Sequence, residues 1–376
     1  MYHKRDSLLD LSYDPNRAII TGQLAGLKQR LPLLELPNEQ YLLVRSALTD
    51  LLTPATDPDR FTLRPAVIDE LRRLPQADWP RYLCYRYRYE RFPSLKILDD
   101  FPPCLQVEPT SVCNYRCTFC YQTDESFTKK SNGHMGFMSL DIFKQVVDQA
   151  NGHCEALTLA SRGEPMLHPE IVLMLAYLQG KFLASKVNTN AWFLDEVRCH
   201  ALLQAELNTL VLSIDAAEEP LYSQLRVGGK LERVIENVKR LRAIKDAHYS
   251  DSKTIIRVSG VKVPGTPEWV EMEAFWGEWA DQVTFVAYNP WENTYQRPVN
   301  DIEEPCSDLW RRMFVWWDGT VNPCDVDYKS TLAVGRVQDT PLSDLWQHAP
   351  VYRELRHKHL FEQRSACSPC NRCTVV

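Results

Sequence analysis

An α/β protein built on a parallel sheet is predicted by two features of the sequence. Between Cys104 and Ala287 short β-rich runs alternate with helical patterns, and the polar constellations of this stretch all fall just after the predicted strands. Strands are expected at Leu105–Glu108, Ala156–Leu159, Ser185–Asn188, Thr209–Ile214, Ile255–Val261 and Gln282–Ala287. Helices are expected between them, at Leu140–Ala150, Glu170–Gln179, Leu194–Gln204, Leu231–Lys245 and Glu268–Trp279. Ser139 reads as an N-cap for the first of these, and Thr266-Pro267 opens the last. Ile142, Phe143, Val146, Val147 and Ala150 recur at helical spacing, so the first helix has one buried face. Six such units predict a partial (β/α)6 TIM-like barrel over residues 99–290.

In a barrel of parallel strands, chemistry collects in the loops beyond the strand C-terminal ends. Cys113, Cys117 and Cys120 follow the first strand, and Ser161-Arg162-Gly163-Glu164-Pro165 follows the second. Asn188-Thr189-Asn190 closes the third strand and Ser213-Ile214-Asp215 the fourth. All four groups are therefore expected on one face.

Residues 1–98 read as a mainly helical region with turns marked by Pro32, Pro37, Pro54, Pro58, Pro65 and Pro75. The alternation from Arg81 to Tyr89 suggests an edge strand or a solvated face. Pro93 to Pro103 connects into the barrel, and residues 300–376 form a separate small module. The chain shows no internal repeat beyond the βα alternation and no low-complexity tract.

A hydrophobic content of 44% supports globular domains with real cores, while a formal charge of −6 argues against a general nucleic-acid binder. The longest apolar run, Ile171 to Leu178, is too short to span a bilayer, and Met1 to Tyr13 lacks the pattern of a signal peptide. A cytoplasmic protein with neither a nucleic-acid nor a membrane partner is expected. Twelve cysteines then read as metal ligands or free thiols, because the cytosol keeps thiols reduced. Eight of them fall in two groups, leaving Cys84, Cys104, Cys154 and Cys199 scattered.

The first group offers three thiolates within eight residues. A structural zinc site and an ordinary four-iron cluster each take four protein ligands, so three imply an iron with an open position. The alternative is a zinc loop completed by a distant histidine such as His134 or His153. The Cys-x3-Cys-x2-Cys spacing with Phe119 before the last cysteine resembles the signature of the radical S-adenosylmethionine superfamily. That resemblance implies a [4Fe-4S] cluster whose open iron is chelated by S-adenosylmethionine, which is split to a 5′-deoxyadenosyl radical that takes a hydrogen atom from the substrate. The protein's part is to orient these components and exclude water.

The resemblance implies further site residues. Ser161 to Pro165 resembles the superfamily's Gly-Gly-Glu-Pro motif, with Arg162 replacing the first glycine; Gly163 and Glu164 remain, and Glu164 would bind the cofactor's amino group. Phe119 would meet the adenine, Asn190 and Ser213 would face the ribose and carboxylate, and Arg226 would pair with the carboxylate. Asn190 and Ser213 read equally as strand-end caps, Arg226 equally as a solvated loop arginine, and His168 as a helix-entry residue. Tyr121 reads as packing.

Downstream, Cys306 and Cys324, with Cys367, Cys370 and Cys373, resemble the C-terminal auxiliary-cluster modules called SPASM and twitch. Val315 to Pro323, with its Asp318-Gly319 turn, reads as the hairpin of such a module. Five cysteines suffice for one auxiliary [4Fe-4S] cluster, with Cys306, Cys324, Cys367 and Cys370 as ligands and Cys373 either a substitute ligand or a free thiol able to donate a hydrogen atom. A four-cysteine zinc ribbon would use the same spacing. The leading expectation is an oxidoreductase that oxidises or rearranges a polar small molecule of sugar or cyclitol type, served by a reductase or flavodoxin-type electron donor. The alternatives are a peptide-modifying maturase or epimerase and a non-catalytic iron–sulfur electron carrier.

Overall fold

Parallel strands covered on both faces need apolar side chains at nearly every position, and Ala156-Leu157-Thr158-Leu159 is buried throughout. In the computed structural model, which describes residues 16–53, 60–265 and 270–376, this run is the second of seven parallel strands. Chain order is α1 Arg17–Arg30, α2 Asn38–Leu52, α3 Pro65–Arg73, α4 Trp79–Leu95, β1 Cys104–Val107, α5 Glu125–Thr128, α6 Leu140–Ala150, β2 Ala156–Leu159, α7 Ile171–Leu178, β3 Lys186–Thr189 and α8 Glu196–Gln204. Then follow β4 Thr209–Ser213, α9 Glu219–Leu225, α10 Leu231–His248, β5 Ile255–Lys262, α11 Val270–Trp276, β6 Gln282–Ala287, β7 Arg312–Val315, β8 Thr320–Asn322, β9 Gly335–Arg336, α12 Leu342–His348 and α13 Pro350–Leu360. The sheet runs β6-β5-β4-β3-β2-β1-β7-β8-β9, parallel from β6 to β7 and antiparallel beyond. This is the partial barrel the sequence predicts.

The helices form where the sequence supplies a face and a cap. Ser139 Oγ accepts the Ile142 N–H at 3.3 Å at the start of α6, whose Phe143, Val146, Val147 and Ala150 are buried. Leu157, Leu159, Val187, Leu210, Leu212, Ile256 and Val258 form the interior against such helices. The Asp318-Gly319 turn is present: Gly319 adopts φ +85°, which glycine accepts without strain, and pairs Val315 with Val321. Where the sequence placed this hairpin in a separate module, β7 instead continues the barrel sheet by pairing with β1. The short α9 went unpredicted.

The described residues from 16 to 99 form a compact unit of their own, and those from Asp100 onward another. Within it, Arg81 to Tyr89 is neither an edge strand nor a solvated face but part of α4. Tyr82, Leu83, Cys84 and Tyr85 are buried, and α4 packs on α2. Trp79-Pro80 at the helix start, an Arg86–Glu90 pair one turn apart and tertiary packing override the local alternation. Met1 to Tyr13, Pro54, Pro58 and the Thr266-Pro267 start of α11 lie outside the described residues. No described helix is long and apolar enough to cross a membrane.

Candidate active site

The loop after β1 carries Cys113, Cys117 and Cys120 and is pinned by backbone bonds on two sides. Arg116 N–H donates to Val227 O at 2.9 Å and Thr118 N–H to Leu225 O at 3.1 Å, tying the loop to the chain after α9. On the other side Glu164 N–H donates to Val112 O at 2.9 Å. Gly163 makes this approach possible, since a Cβ there would stand 2.2 Å from Thr110 O and 2.6 Å from Val112 O. The glycine of the motif is therefore needed for close backbone packing.

Burial raises all three thiols. It lifts Cys113 far above the ordinary range with help from the negative Glu164, pushes Cys120 up to about 12, and raises Cys117 against the opposing pull of Arg226. Three desolvated sulfurs, with only that of Cys117 in hydrogen-bond reach of a cationic side chain, suit a cationic iron centre, which would hold them as thiolates. His134 stacks on Phe127 and His153 packs on Phe101. His168 is the helix-entry residue the sequence suggests: Nδ1 accepts the Glu170 N–H at 3.0 Å, and Nε2 lies 2.8 Å from Met138 O.

Glu164 is buried beside this loop. Its Oε1 accepts Met166 N–H at 2.9 Å and Thr189 Oγ1–H at 2.6 Å, and its Oε2 accepts Asn190 N–H at 2.7 Å. Burial raises its pKa, and those donors oppose the rise. A carboxylate has about four accepting positions, so one on Oε2 remains for a ligand. Asn190 acts first as a brace: its Nδ2 donates to Asn114 Oδ1 at 2.9 Å inside the cysteine loop, and its Oδ1 caps Trp192 N–H at 3.0 Å. Ser213 closes β4 opposite Ser259.

Two buried ion pairs complete the site. Arg226 is no solvated loop arginine: its Nε donates to Asp215, its Nη1 stands 3.7 Å from Cys117 Sγ, and its guanidinium lies 5.4 Å from the centre of the Phe119 ring. Arg162, in place of the motif's glycine, pairs in two-pronged fashion with Glu108, Nε to Oε2 at 2.7 Å and Nη2 to Oε1 at 2.6 Å. Its Nη1 donates to Tyr328 O at 2.9 Å, and it lies over the Trp316 ring at 4.2 Å. Sequence reasoning missed Glu108 and the role of Asp215. The available signal was a carboxylate directly following a strand that is buried throughout. Tyr121 packs, as expected, on Tyr328 and Trp291, and its hydroxyl also donates to Ser161 O at 2.7 Å.

The C-terminal cysteines also gather. Cys370 is raised by burial and further by Cys306, Cys373 and Cys367, and burial lifts Cys306 to about 11. Cys306 and Cys324 both pack on the Val326, Cys373 and Val375 cluster. Arg364, 1% exposed, straps the loop by donating to Glu304 O at 2.7 Å and to Cys373 O and Val375 O at 2.8 Å each.

The sequence matches the Radical SAM superfamily over residues 107–256 and the SPASM iron–sulfur cluster-binding domain over residues 306–374. The chain belongs to the radical SAM superfamily. Its domains are those that bind a [4Fe-4S] cluster with S-adenosylmethionine and auxiliary iron–sulfur clusters. Over 210 residues this radical SAM chain is 25% identical to an S-adenosyl-L-methionine-dependent tRNA 4-demethylwyosine synthase of Oryza sativa subsp. japonica, covering 48% of the chain but only 28% of that protein. It is 21% identical over 331 residues to the tungsten-containing aldehyde ferredoxin oxidoreductase cofactor-modifying protein of Pyrococcus furiosus, covering 72% of the chain and 89% of that relative. Its fold is similar to that of Streptococcus suis SuiB bound to its precursor peptide SuiA, with a TM-score of 0.54, 16% identity and coverage of 74% and 72% of the two chains.

Proposed function

We propose that the chain is a radical SAM oxidoreductase or related radical enzyme that cleaves S-adenosylmethionine reductively and takes a hydrogen atom from a polar small molecule of sugar or cyclitol type. Cys113, Cys117 and Cys120 hold the first cluster, and residues 99–290 and 300–376 divide the work between cofactor cleavage and a second cluster. Bound S-adenosylmethionine on the reduced cluster supplies the 5′-deoxyadenosyl radical. The observation that carries the reading is the Glu164 carboxylate, buried next to Cys113 with one accepting position left by three chain donors. That position suits an ammonium group. Asn190, bonded both to Glu164 and to Asn114, keeps the carboxylate in register with the cysteine loop.

A polar substrate is favoured by what stands beyond Cys120. Ser161 adopts φ +141°, a conformation costly for any residue but glycine, and its buried hydroxyl has no partner. The indole N–H of Trp291, stacked on Tyr121, is buried without a partner as well. Substrate hydroxyls would satisfy groups of this kind. The experiment is anaerobic reconstitution, reduction, and mass spectrometry of 5′-deoxyadenosine with deuterated sugars and cyclitols added in turn. Transfer of one deuterium into 5′-deoxyadenosine is expected. Transfer from peptides alone would favour a maturase, and a cluster-loaded protein that never cleaves the cofactor would be an electron carrier.

Two expectations follow for the site. Glu164→Gln removes the negative charge while keeping the size, and should weaken S-adenosylmethionine binding by about 1.5–3 kcal/mol, the range for a hydrogen bond to a charged group. Calorimetry showing unchanged affinity would place the ammonium elsewhere. For the C-terminal group, loaded protein should hold about eight irons per chain, four per cluster. Cys324→Ala should leave about four. A zinc ribbon in place of the second cluster would leave about four irons, with zinc, in the native protein. Cys373→Ala separates a ligand, with the same iron loss, from a free thiol that leaves iron intact and serves as a hydrogen donor.

A further inference from the structure

We infer that Arg226 sets the reduction potential of the first cluster by donating a charge-assisted hydrogen bond to the Cys117 sulfur, and that Asp215 is the group that aims it. The inference rests on the proposal that Cys113, Cys117 and Cys120 hold that cluster. The superfamily resemblance had directed Arg226 toward the cofactor carboxylate, whereas the side chain is committed within the protein on two of its nitrogens. Nε is taken by Asp215, and Nη1 faces Cys117 Sγ at 3.7 Å.

The arrangement is rigid. Asp215 is fully buried, and its other oxygen accepts Val261 N–H at 2.7 Å, so the ends of β4 and β5 fix the carboxylate. The backbone of Arg226 is held from both sides: its N–H donates to Tyr222 O at 2.7 Å, and its carbonyl accepts Gly229 N–H at 2.8 Å. Gly228, at φ +92°, lets the following chain pass so close to Asn114 that an added Cβ would stand 3.2 Å from its carbonyl oxygen. The loop that carries the guanidinium thus presses on the loop that carries the thiols.

An electron entering an iron–sulfur cluster increases negative charge on the cluster and its sulfurs. A fixed cation at hydrogen-bond distance stabilises the reduced form more than the oxidised form, and hydrogen bonds to sulfur are among the protein's main levers on the potential. The other two sulfurs lack this partner. Cys113 Sγ accepts the neutral Tyr115 N–H at 3.4 Å and has the negative Glu164 nearby. The hydrogen bond therefore enters at one sulfur, that of Cys117, while the charge of Arg226 also reaches Cys120.

The test is a dye-mediated titration with dithionite as reductant on the reconstituted full chain, read by electron paramagnetic resonance, with iron content measured first. Arg226→Gln should lower the reduced fraction of the first cluster at a given potential by about tenfold, which for one electron is about 59 mV. Arg226→Gln combined with Asp215→Asn, which leaves no lone buried charge, should also lower it. Arg226→Lys keeps a cation opposite Asp215 but lacks the fork to reach both partners, and should fall in between. The second cluster's midpoint should stay in place throughout. An unmoved midpoint in these variants, with S-adenosylmethionine affinity reduced tenfold or more by calorimetry, would make Arg226 a cofactor clamp and overturn the inference. A native protein that gives no first-cluster signal at all would instead overturn the proposed function.

Discussion

Cys117→Ala protein should show no cleavage of S-adenosylmethionine above background, while folding normally and keeping its second cluster. Cys117 is the most buried of the three loop thiols, at 7% exposure, and the sulfur faced by Arg226. Alanine leaves two ligands where three present the open iron, and no further cysteine lies in the loop to take its place. The fold does not depend on that sulfur. The loop is anchored by backbone bonds from Arg116, Thr118 and Glu164, and Arg226 keeps its bond to Asp215 in the variant. Iron should fall by about half, from about eight to about four per chain. The measurements are iron content, the paramagnetic signal of each cluster and 5′-deoxyadenosine by mass spectrometry. Retained cleavage in Cys117→Ala would remove this loop from the cofactor site.

The barrel was legible because its strands are buried on both faces and its helices on one, so each leaves a periodic mark. Ala156–Leu159 and Gln282–Ala287 run as expected, and the ends of the other four strands move by at most one residue. What the sequence hid was long-range. The alternation at Arg81 to Tyr89 mimics a strand, but packing on α2 makes it a helix. The seven-residue α9 lacks a side-chain cap to announce it. Glu108 and Arg162 are 54 positions apart, and no local pattern links them. The same holds for Arg226: the superfamily resemblance marked the position, but its direction toward Asp215 and Cys117 depends on where β4, β5 and the cysteine loop meet.

Arg162→Met should destabilise the protein more than the double change Glu108→Gln with Arg162→Met, although the double change removes more of the native network. Both side chains are buried, Glu108 at 0% and Arg162 at 3% exposure, and each satisfies the other through two hydrogen bonds. Glu108 also accepts the N–H of Arg162 at 3.1 Å and that of Trp317 at 3.3 Å, and Arg162 reaches Tyr328 O. The pair thus joins β1, the loop before Glu164 and the chain after Cys324. Removing the guanidinium alone leaves a carboxylate in a buried site without its cation, a change that costs about 3–5 kcal/mol in such pairs. At about 2–4 °C per kcal/mol for a chain of this order of size, the Tm should fall by roughly 6–20 °C. The double change leaves no uncompensated charge, and methionine still packs on Trp316 and Phe127, the rings that the guanidinium covers at 4.2 and 5.4 Å. Its loss should be smaller, because replacing both partners removes the desolvation cost together with the attraction. Anaerobic calorimetry of the two variants beside the native protein decides the matter. A single variant as stable as the double would mean that Glu108 finds another partner when Arg162 is gone, and that the arginine standing where the motif has glycine is not what neutralises it.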